Sequence, residues 1–262
     1  MANPISSDRT VMRRSLLSSV LEILEQNARV QERQTLFEIG PVYIPQAGEL
    51  LPAEKAILVM TMTGKRSHAH WQGSDKDELD FYDLKGIVEA MLQGLHLDQI
   101  YYETATSMPF HPGMCAALMV AGEQIGMLGQ LHPLISERYA ISTPILAARL
   151  DLEKMQSLAG TVLSQPVPAY PPVFEDLAVV VDEDILGEQI EAVIRKAGRK
   201  LIADVRLFDI YRGEQIGSGK KSLAYSIVYQ ASDRTLTDKE VSKIRSKIIF
   251  LLGKELNAEL RS

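Results

Sequence analysis

The sequence predicts an α+β protein in two parts, each built on a mostly antiparallel sheet. Three observations carry this reading. Short alternating strands outnumber helices before residue 163, and few connections have the strand–helix–strand order of a parallel sheet. Four prolines fall between Pro166 and Pro172, which excludes helix and favours an extended spacer. From Tyr170 to Ser262 the order reads strand, helix, strand, strand, helix, short strand, a two-layer unit with both helices on one sheet face. The expected boundaries are a first module over 1–163, a Pro-rich linker over 164–172 and a second domain over 173–262.

In the first module, Asp8 to Glu32 reads as a helix broken near Asn27, with Ser6, Ser7 or Asp8 as its cap. Leu16, Leu17, Val20, Leu21, Ile23 and Leu24 recur at helical spacing and give a broad apolar stripe. Strands are expected at Thr35 to Ile44, Ala56 to Gly64, Ile100 to Thr104, Cys115 to Val120, Ile125 to Leu131 and Ile145 to Leu150. A tight hairpin is expected around Gly122 and Glu123. Asp80 caps a helix from about Phe81 to Leu95, with Asp83 in its first turn.

In the second domain, Leu177 to Val181 is an apolar strand. Leu186, Ile190, Val193, Ile194 and Ala197 form the buried stripe of the next helix, and Arg195, Lys196, Arg199 and Lys200 mark its other face and end. Asp204 to Tyr211 and Ser222 to Tyr229 are strands joined by a Gly-rich turn over Gly213 to Gly219. Alternation sets Leu223, Tyr225, Ile227 and Tyr229 on a core face, and Ser222, Ala224, Ser226 and Val228 on a face of small side chains that suits a ligand. Thr237 and Glu240 make a capping box for a helix burying Val241, Ile244, Ile248, Leu251 and Leu252. Ala258 to Leu260 closes the sheet.

The 262 residues are 46% hydrophobic and 24% charged, which excludes disorder and leaves room for two domains. From Pro168 onward 15 basic residues balance 15 acidic ones, so the net charge of −6 lies before it, where 13 basic residues stand against 19 acidic. A uniformly basic nucleic-acid binder is thereby excluded. No apolar run approaches a membrane span, and no secretory signal follows Met1. The single cysteine, Cys115, allows no internal disulfide, which suits a reducing cytosol and a cytoplasmic location.

Apparent motifs resolve into structure. Gly217 to Ser222 resembles a phosphate loop, but an extra lysine intervenes, Glu214 holds the position of the first glycine, and a strand follows instead of a helix. His68 and His70 have no third ligand at zinc spacing. His111 and His132 sit in His-Pro turns. Capping accounts for Asp80 and Asp83. No residue is assigned a catalytic role and none a metal. The cations Arg195, Lys196, Arg199 and Lys200 are the residues suited to track a phosphate backbone.

The ordered segments Pro171–Ala178, Phe208–Tyr211, Lys221–Tyr225 and Arg234–Thr237 with Glu240 and Val241 resemble the ferredoxin-fold anticodon-binding domain that ends the phenylalanyl-tRNA synthetase β subunit. Asn3–Ser7, Met12–Arg13 with Ser15–Leu17, Phe37–Gly40, Asp80–Phe81 with Asp83–Gly86, His111–Gly113 and Gly129–Pro133 resemble the catalytic-like module of the same subunit, over nearly the whole chain and in the family's order. The resemblance implies a class II synthetase fold that has lost amino-acid activation. It implies assembly with a catalytic α subunit as (αβ)2 and contact with the anticodon stem-loop of phenylalanine tRNA. ATP and magnesium then belong to the whole ligase, this chain needs no cofactor, and alone it is expected to be inactive. The helix from Val11 to Leu24 is expected at the subunit interface through Val11, Leu16, Leu17, Val20 and Leu24. The family's upstream editing and magnesium-binding modules are missing, so a fragment is expected. Glu175 stands where the family has arginine, and a carboxylate there repels phosphate. The alternative reading is a stand-alone interaction scaffold that binds no RNA.

Overall fold

A computed structural model describes residues 7, 10–68, 70–73, 75–161 and 167–261. The chain divides into two compact units, Met1–Leu163 and Ser164–Ser262. Asp8, residues 3–6 and the first part of the Pro-rich segment, 164–166, lie outside the described residues.

Unit 1 runs α1 (Leu17–Asn27), β1 (Gln34–Ile44), β2 (Ala53–Thr63), α2 (Phe81–Gly94), β3 (Ile100–Thr104), β4 (Phe110–Val120), β5 (Glu123–Leu131), α3 (Pro133–Arg138), β6 (Ile145–Asp151) and α4 (Leu152–Leu158). Its six strands lie in the order β1-β2-β6-β5-β4-β3, and every neighbouring pair is antiparallel. Both faces are apolar because helices cover both. Leu84, Val88 and Leu92 of α2, with Met155 of α4, pack against Leu58, Leu118, Leu128 and Leu150. On the other face Leu16 and Val20 meet Val42, Ile57 and Val59, while Leu21 and Leu24 meet Leu131, Ile145 and Ala147.

The first helix is shorter than its periodicity suggests. It starts at Leu17, because Arg13 ties the preceding chain to β1. The Arg13 carbonyl accepts from Tyr43 N at 2.9 Å, its Nε donates to Pro41 O at 3.0 Å, and its Nη1 pairs with Glu38 at 2.7 Å. Strand β4 starts five residues earlier than expected. Between the pairs Phe110–Leu131 and Cys115–Gly129 the register shifts, so His111–Met114 bulges within one continuous strand. Gly129 is required there, since a Cβ would run into the Met114 carbonyl oxygen.

Helix α2 begins as its sequence dictates. The Asp80 carboxylate accepts from Tyr82 N and Asp83 N at 2.8 and 3.1 Å, and Asp83 accepts from Asp80 N at 2.8 Å. Arg66 binds this cap from outside, with its nitrogens 3.3, 3.6, 3.0 and 3.1 Å from carboxylates of Asp75, Asp77, Asp80 and Asp83.

Unit 2 runs β7 (Val173–Asp182), α5 (Gly187–Gly198), β8 (Ile202–Tyr211), β9 (Lys220–Tyr229), α6 (Asp238–Leu256) and β10 (Glu259–Leu260). The sheet order is β10-β7-β9-β8, all antiparallel, with α5 and α6 on one face. This is a ferredoxin-like βαββαβ unit. The Thr237 hydroxyl and Glu240 carboxylate cap α6 reciprocally. Asn257, with φ of 51°, ends it in the left-handed conformation.

Candidate nucleic-acid interface

The period of two along β7 and β9 decides which face of unit 2 is core. Leu177, Val179, Val181, Leu223, Tyr225, Ile227 and Tyr229 all turn toward the helices and are buried. Both tyrosines are therefore packing residues, as the alternation predicts. The Tyr225 hydroxyl donates to Gly187 O at 2.9 Å, and burial pushes its ionisation well above the ordinary range.

The opposite face is open. Register sets Phe174, Asp176 and Ala178 of β7 beside Val228, Ser226 and Ala224 of β9, and those three beside Asp204, Arg206 and Asp209 of β8. The floor is thus small side chains, and Phe174 stands 67% exposed at its margin. At the far end Tyr211 lies beside Ser222. Arg261 crosses them: its guanidinium lies 4.5 Å from the Tyr211 ring centre, and its Nη1 donates to Ser222 Oγ at 3.4 Å. A flat floor edged by the exposed Phe174 ring, the half-buried Tyr211 ring and mixed charges suits unstacked bases better than a phosphate chain.

The predicted cations lie elsewhere, on the last turn of α5 and just beyond it. Arg195 pairs with Glu191 at 2.8 Å, and Lys196 with Glu255 at 2.8 Å. Arg199 and Lys200 are exposed and have no ion pair among the described residues. Lys247 donates to Ala197 O at 2.9 Å, so a cation from α6 also serves the negative end of α5. Arg195 also lies 3.8 Å from Asp204 of β8, so this cation reaches from the last turn of α5 to the margin of the open face.

Glu175 also belongs to the helix side, opposite Ile227. Its Oε2 and the Tyr229 hydroxyl are both buried without a hydrogen-bond partner among the described residues. Burial first, and then the Glu175 charge, push the Tyr229 phenol upward. The carboxylate therefore acts on the core phenol of Tyr229, which Arg245 of α6 also influences, and does not face the open floor.

Of the five apolar residues assigned to a subunit interface, Leu16, Val20 and Leu24 are at most 1% exposed and form the core of unit 1. The breadth of the α1 stripe is accounted for by the sheet beneath it. Leu17 is half-buried, and Val11, 76% exposed, precedes the helix. Leu17 and Leu21 line an open recess of about 390 Å³ together with Met108, Pro109, Ile135 and Tyr139.

The histidine motifs converge without forming a reactive pair. The His111 and His132 rings stack at 6.3 Å, and each Nδ1 accepts a local backbone N–H, from Gly113 at 3.1 Å and Leu134 at 3.3 Å. Gly217 and Gly219 take φ of 87° and 76° in a turn that leads directly into β9. Among the described residues, no three His, Cys, Asp or Glu side chains are grouped to hold a metal.

The two units define an α+β protein, an antiparallel six-stranded sheet flanked by helices and followed in sequence by a ferredoxin-fold anticodon-binding domain. Residues 1–152 match the model of the phenylalanyl tRNA synthetase beta chain CLM domain, and residues 168–261 match the ferredoxin-fold anticodon binding domain. The chain belongs to the phenylalanyl-tRNA synthetase beta chain family. It is 40% identical to the phenylalanine–tRNA ligase beta subunit of Symbiobacterium thermophilum, covering 100% of this chain and 29% of that one. The corresponding subunit of Clostridium tetani is 40% identical, with 99% and 32% covered. That of Geobacillus kaustophilus is 36% identical, with 100% and 33% covered. The chain thus spans about a third of the length of these curated relatives. A solved pyrrolysyl-tRNA synthetase from Desulfitobacterium hafniense is similar at a TM-score of 0.42 and 17% identity over 57% of this chain and 54% of that one, too distant to build on.

Proposed function

We propose that this chain serves phenylalanine–tRNA ligase without performing its chemistry. Unit 2 holds the anticodon region of phenylalanine tRNA, and unit 1 docks the catalytic α subunit in an (αβ)2 assembly in the cytoplasm. The observation that carries the reading is the open face of unit 2, whose tyrosines are spent on the core while Phe174 and the Tyr211–Arg261 stack remain at the surface. Unpaired bases lie over the small-residue floor. Arg195, Lys196, Arg199 and Lys200 attract the flanking phosphates, with Arg199 and Lys200 contributing most because they have no ion pair among the described residues, whereas Arg195 and Lys196 do.

The α subunit is engaged through the exposed Val11 and the half-buried Leu17, with Leu16, Val20 and Leu24 supporting them from the core. ATP and magnesium are used by the whole ligase, and we assign them no residue of this chain. No helix among the described residues is long and apolar enough to cross a membrane.

Binding of the purified chain to phenylalanine tRNA, measured against a noncognate tRNA, tests the reading. Preferential binding without ATP–pyrophosphate exchange is expected. Equal or absent binding of the two RNAs favours a protein scaffold, and exchange activity in the isolated chain overturns the non-catalytic assignment.

A further inference from the structure

Two strands form the edges of each sheet, β1 and β3 in unit 1, β10 and β8 in unit 2. A strand edge is a template for pairing, and proteins blunt it by keeping it short, bulged or charged. Strand β3 has five residues and β10 two. Strand β8 carries Asp204, Arg206 and Asp209, and its register along β9 shifts twice. The first half of β1 has none of these safeguards. The strand runs eleven residues and pairs with β2 without a register shift. Its one charge between Gln34 and Gly40 is Glu38, which is spent on Arg13 at 2.7 Å.

The contacts of Arg13 show which backbone groups turn outward. Tyr43 N donates to the Arg13 carbonyl at 2.9 Å, and the Pro41 carbonyl accepts from Arg13 Nε at 3.0 Å. The odd residues of β1 therefore point their N–H and C=O away from β2. With the register unbroken, Thr35, Phe37 and Ile39 do the same, and there those groups have no hydrogen-bond partner among the described residues. Their side chains stand on the face away from α1, where Phe37 is 72% and Ile39 58% exposed. Arg13 closes one end of the edge and leaves three residues of it open.

We propose that this edge pairs, antiparallel, with the same edge of a second copy of the chain, about a two-fold axis at Phe37. The occupant is a second copy because the open groups are symmetric about that residue, as a contact between identical surfaces requires. In this register Phe37 faces Phe37 of the second copy and Thr35 faces its Ile39. All three residues then exchange N–H and C=O groups, with none left over. Glu38 falls opposite Leu36 and not opposite the other Glu38, so like charges do not meet. Pro41, which has no N–H to donate, falls outside the pairing. The exposed rings of Phe37 cover each other, and the two six-stranded sheets become continuous. Pairing over residues 35–39 is small beside the ~20–30 residues a side of a stable interface, so the association is weak and concentration-dependent. It belongs to unit 1 and depends neither on tRNA nor on the α-subunit docking assigned to Val11 and Leu17.

Sedimentation equilibrium of the intact chain, from micromolar to millimolar concentration, is expected to show monomer and dimer in exchange. Phe37→Lys sets two ammonium groups opposite each other and is expected to weaken dimerisation about tenfold or more. Phe37→Glu does the same. An equimolar mixture of the two variants recovers association, because the two-fold register sets lysine against glutamate. Phe37 is exposed, so thermal melts of both variants should match that of the unaltered chain. Phe37→Cys should form a disulfide-linked dimer on mild oxidation, since a hydrogen-bonded pair holds its Cα atoms ~5.5 Å apart, within disulfide reach. Thr35→Cys, which faces Ile39 instead, should not, and the native Cys115 is buried. A chain that stays monomeric overturns the proposal. So does a dimer that Phe37→Lys leaves unchanged, a mixture that fails to recover, or equal crosslinking of the two cysteine variants. Binding of the α subunit that Phe37→Lys abolishes would make that subunit the occupant and overturn the second copy.

Discussion

Replacing Arg199 and Lys200 together by alanine is expected to flatten the salt dependence of RNA binding, while replacing Arg195 and Lys196 is not. The difference comes from their partners. Arg195 lies 2.8 Å from Glu191 and 3.8 Å from Asp204, and Lys196 2.8 Å from Glu255, so the replacement uncovers three carboxylates as it removes two cations whose charge was already offset. Arg199 and Lys200 have no such partner among the described residues. Each single-strand phosphate contact contributes ~0.7 to the log–log slope, so losing both free cations removes ~1.4. Over a fourfold rise in salt, the unaltered chain then loses about sevenfold more affinity than the variant. Fluorescence anisotropy of a labelled anticodon stem-loop, titrated with the full chain between about 50 and 200 mM salt, reads this directly. Thermal melts check that the end of α5, where cations oppose the helix dipole, is intact. Equal slopes for the Arg199/Lys200 variant and the unaltered chain refute the reasoning, as does an equal loss of slope in the Arg195/Lys196 variant.

Other expectations follow from single contacts. Tyr225→Phe strands the Gly187 carbonyl and is expected to cost about 1 kcal/mol in denaturant unfolding of unit 2. Leu128→Ala, in the centre of the unit 1 sheet, is expected to cost about 2–5 kcal/mol in the transition of that unit; a loss below about 1 kcal/mol contradicts the packing described. Thr237→Ala removes the cap of α6 and is expected to lower stability by about 1 kcal/mol, read as an earlier thermal transition. The Thr237 amide first, and then Arg234, hold the Glu240 carboxyl down at about 2, against an ordinary 4.5. A depressed carboxyl stabilises the fold above pH 4.5 and loses that contribution as pH falls toward 2. Glu240→Gln is thus expected to remove part of the fall in melting temperature across that window, and parallel curves for the two proteins would exclude this role.

Elements with a local cause were legible in the sequence. Asp80 and Thr237 mark helix starts because a side chain and a backbone amide three residues on suffice to make a cap. Tyr225 and Tyr229 were assigned to the core from alternation alone, since one strand face must be buried. Features set by distant chain were not legible. Residues 10–16 share the apolar spacing of the helix after them, and the contacts of Arg13 with Pro41, Glu38 and Tyr43 tie them to β1, while the Ser15 hydroxyl accepts the Leu17 amide at the helix start. His111–Met114 reads as a turn because the partner that makes it a bulge, around Gly129, is far along the chain. For the same reason the apolar stripe of α1 is ambiguous. A helix covered by its own sheet and one covered by another subunit need the same side chains, and only tertiary contacts assign Leu16, Val20 and Leu24 to the former.

Arg66 sets an asymmetry in what substitutions this chain can absorb. One guanidinium serves four carboxylates, so losing Asp75 or Asp77 leaves it with three partners and a lower local repulsion. Losing Arg66 leaves four like charges crowded at the start of α2, offset by the backbone amides that Asp75, Asp80 and Asp83 accept and by the helix end. Under random mutagenesis with selection for folded protein, position 66 should stay fixed while 75 and 77 drift. Asp80 and Asp83 should drift less, because each also holds a backbone amide of the helix. A change at 66 should survive mainly in clones that have already lost one or more of the surrounding acids, so the order in which these substitutions accumulate is constrained by a single side chain.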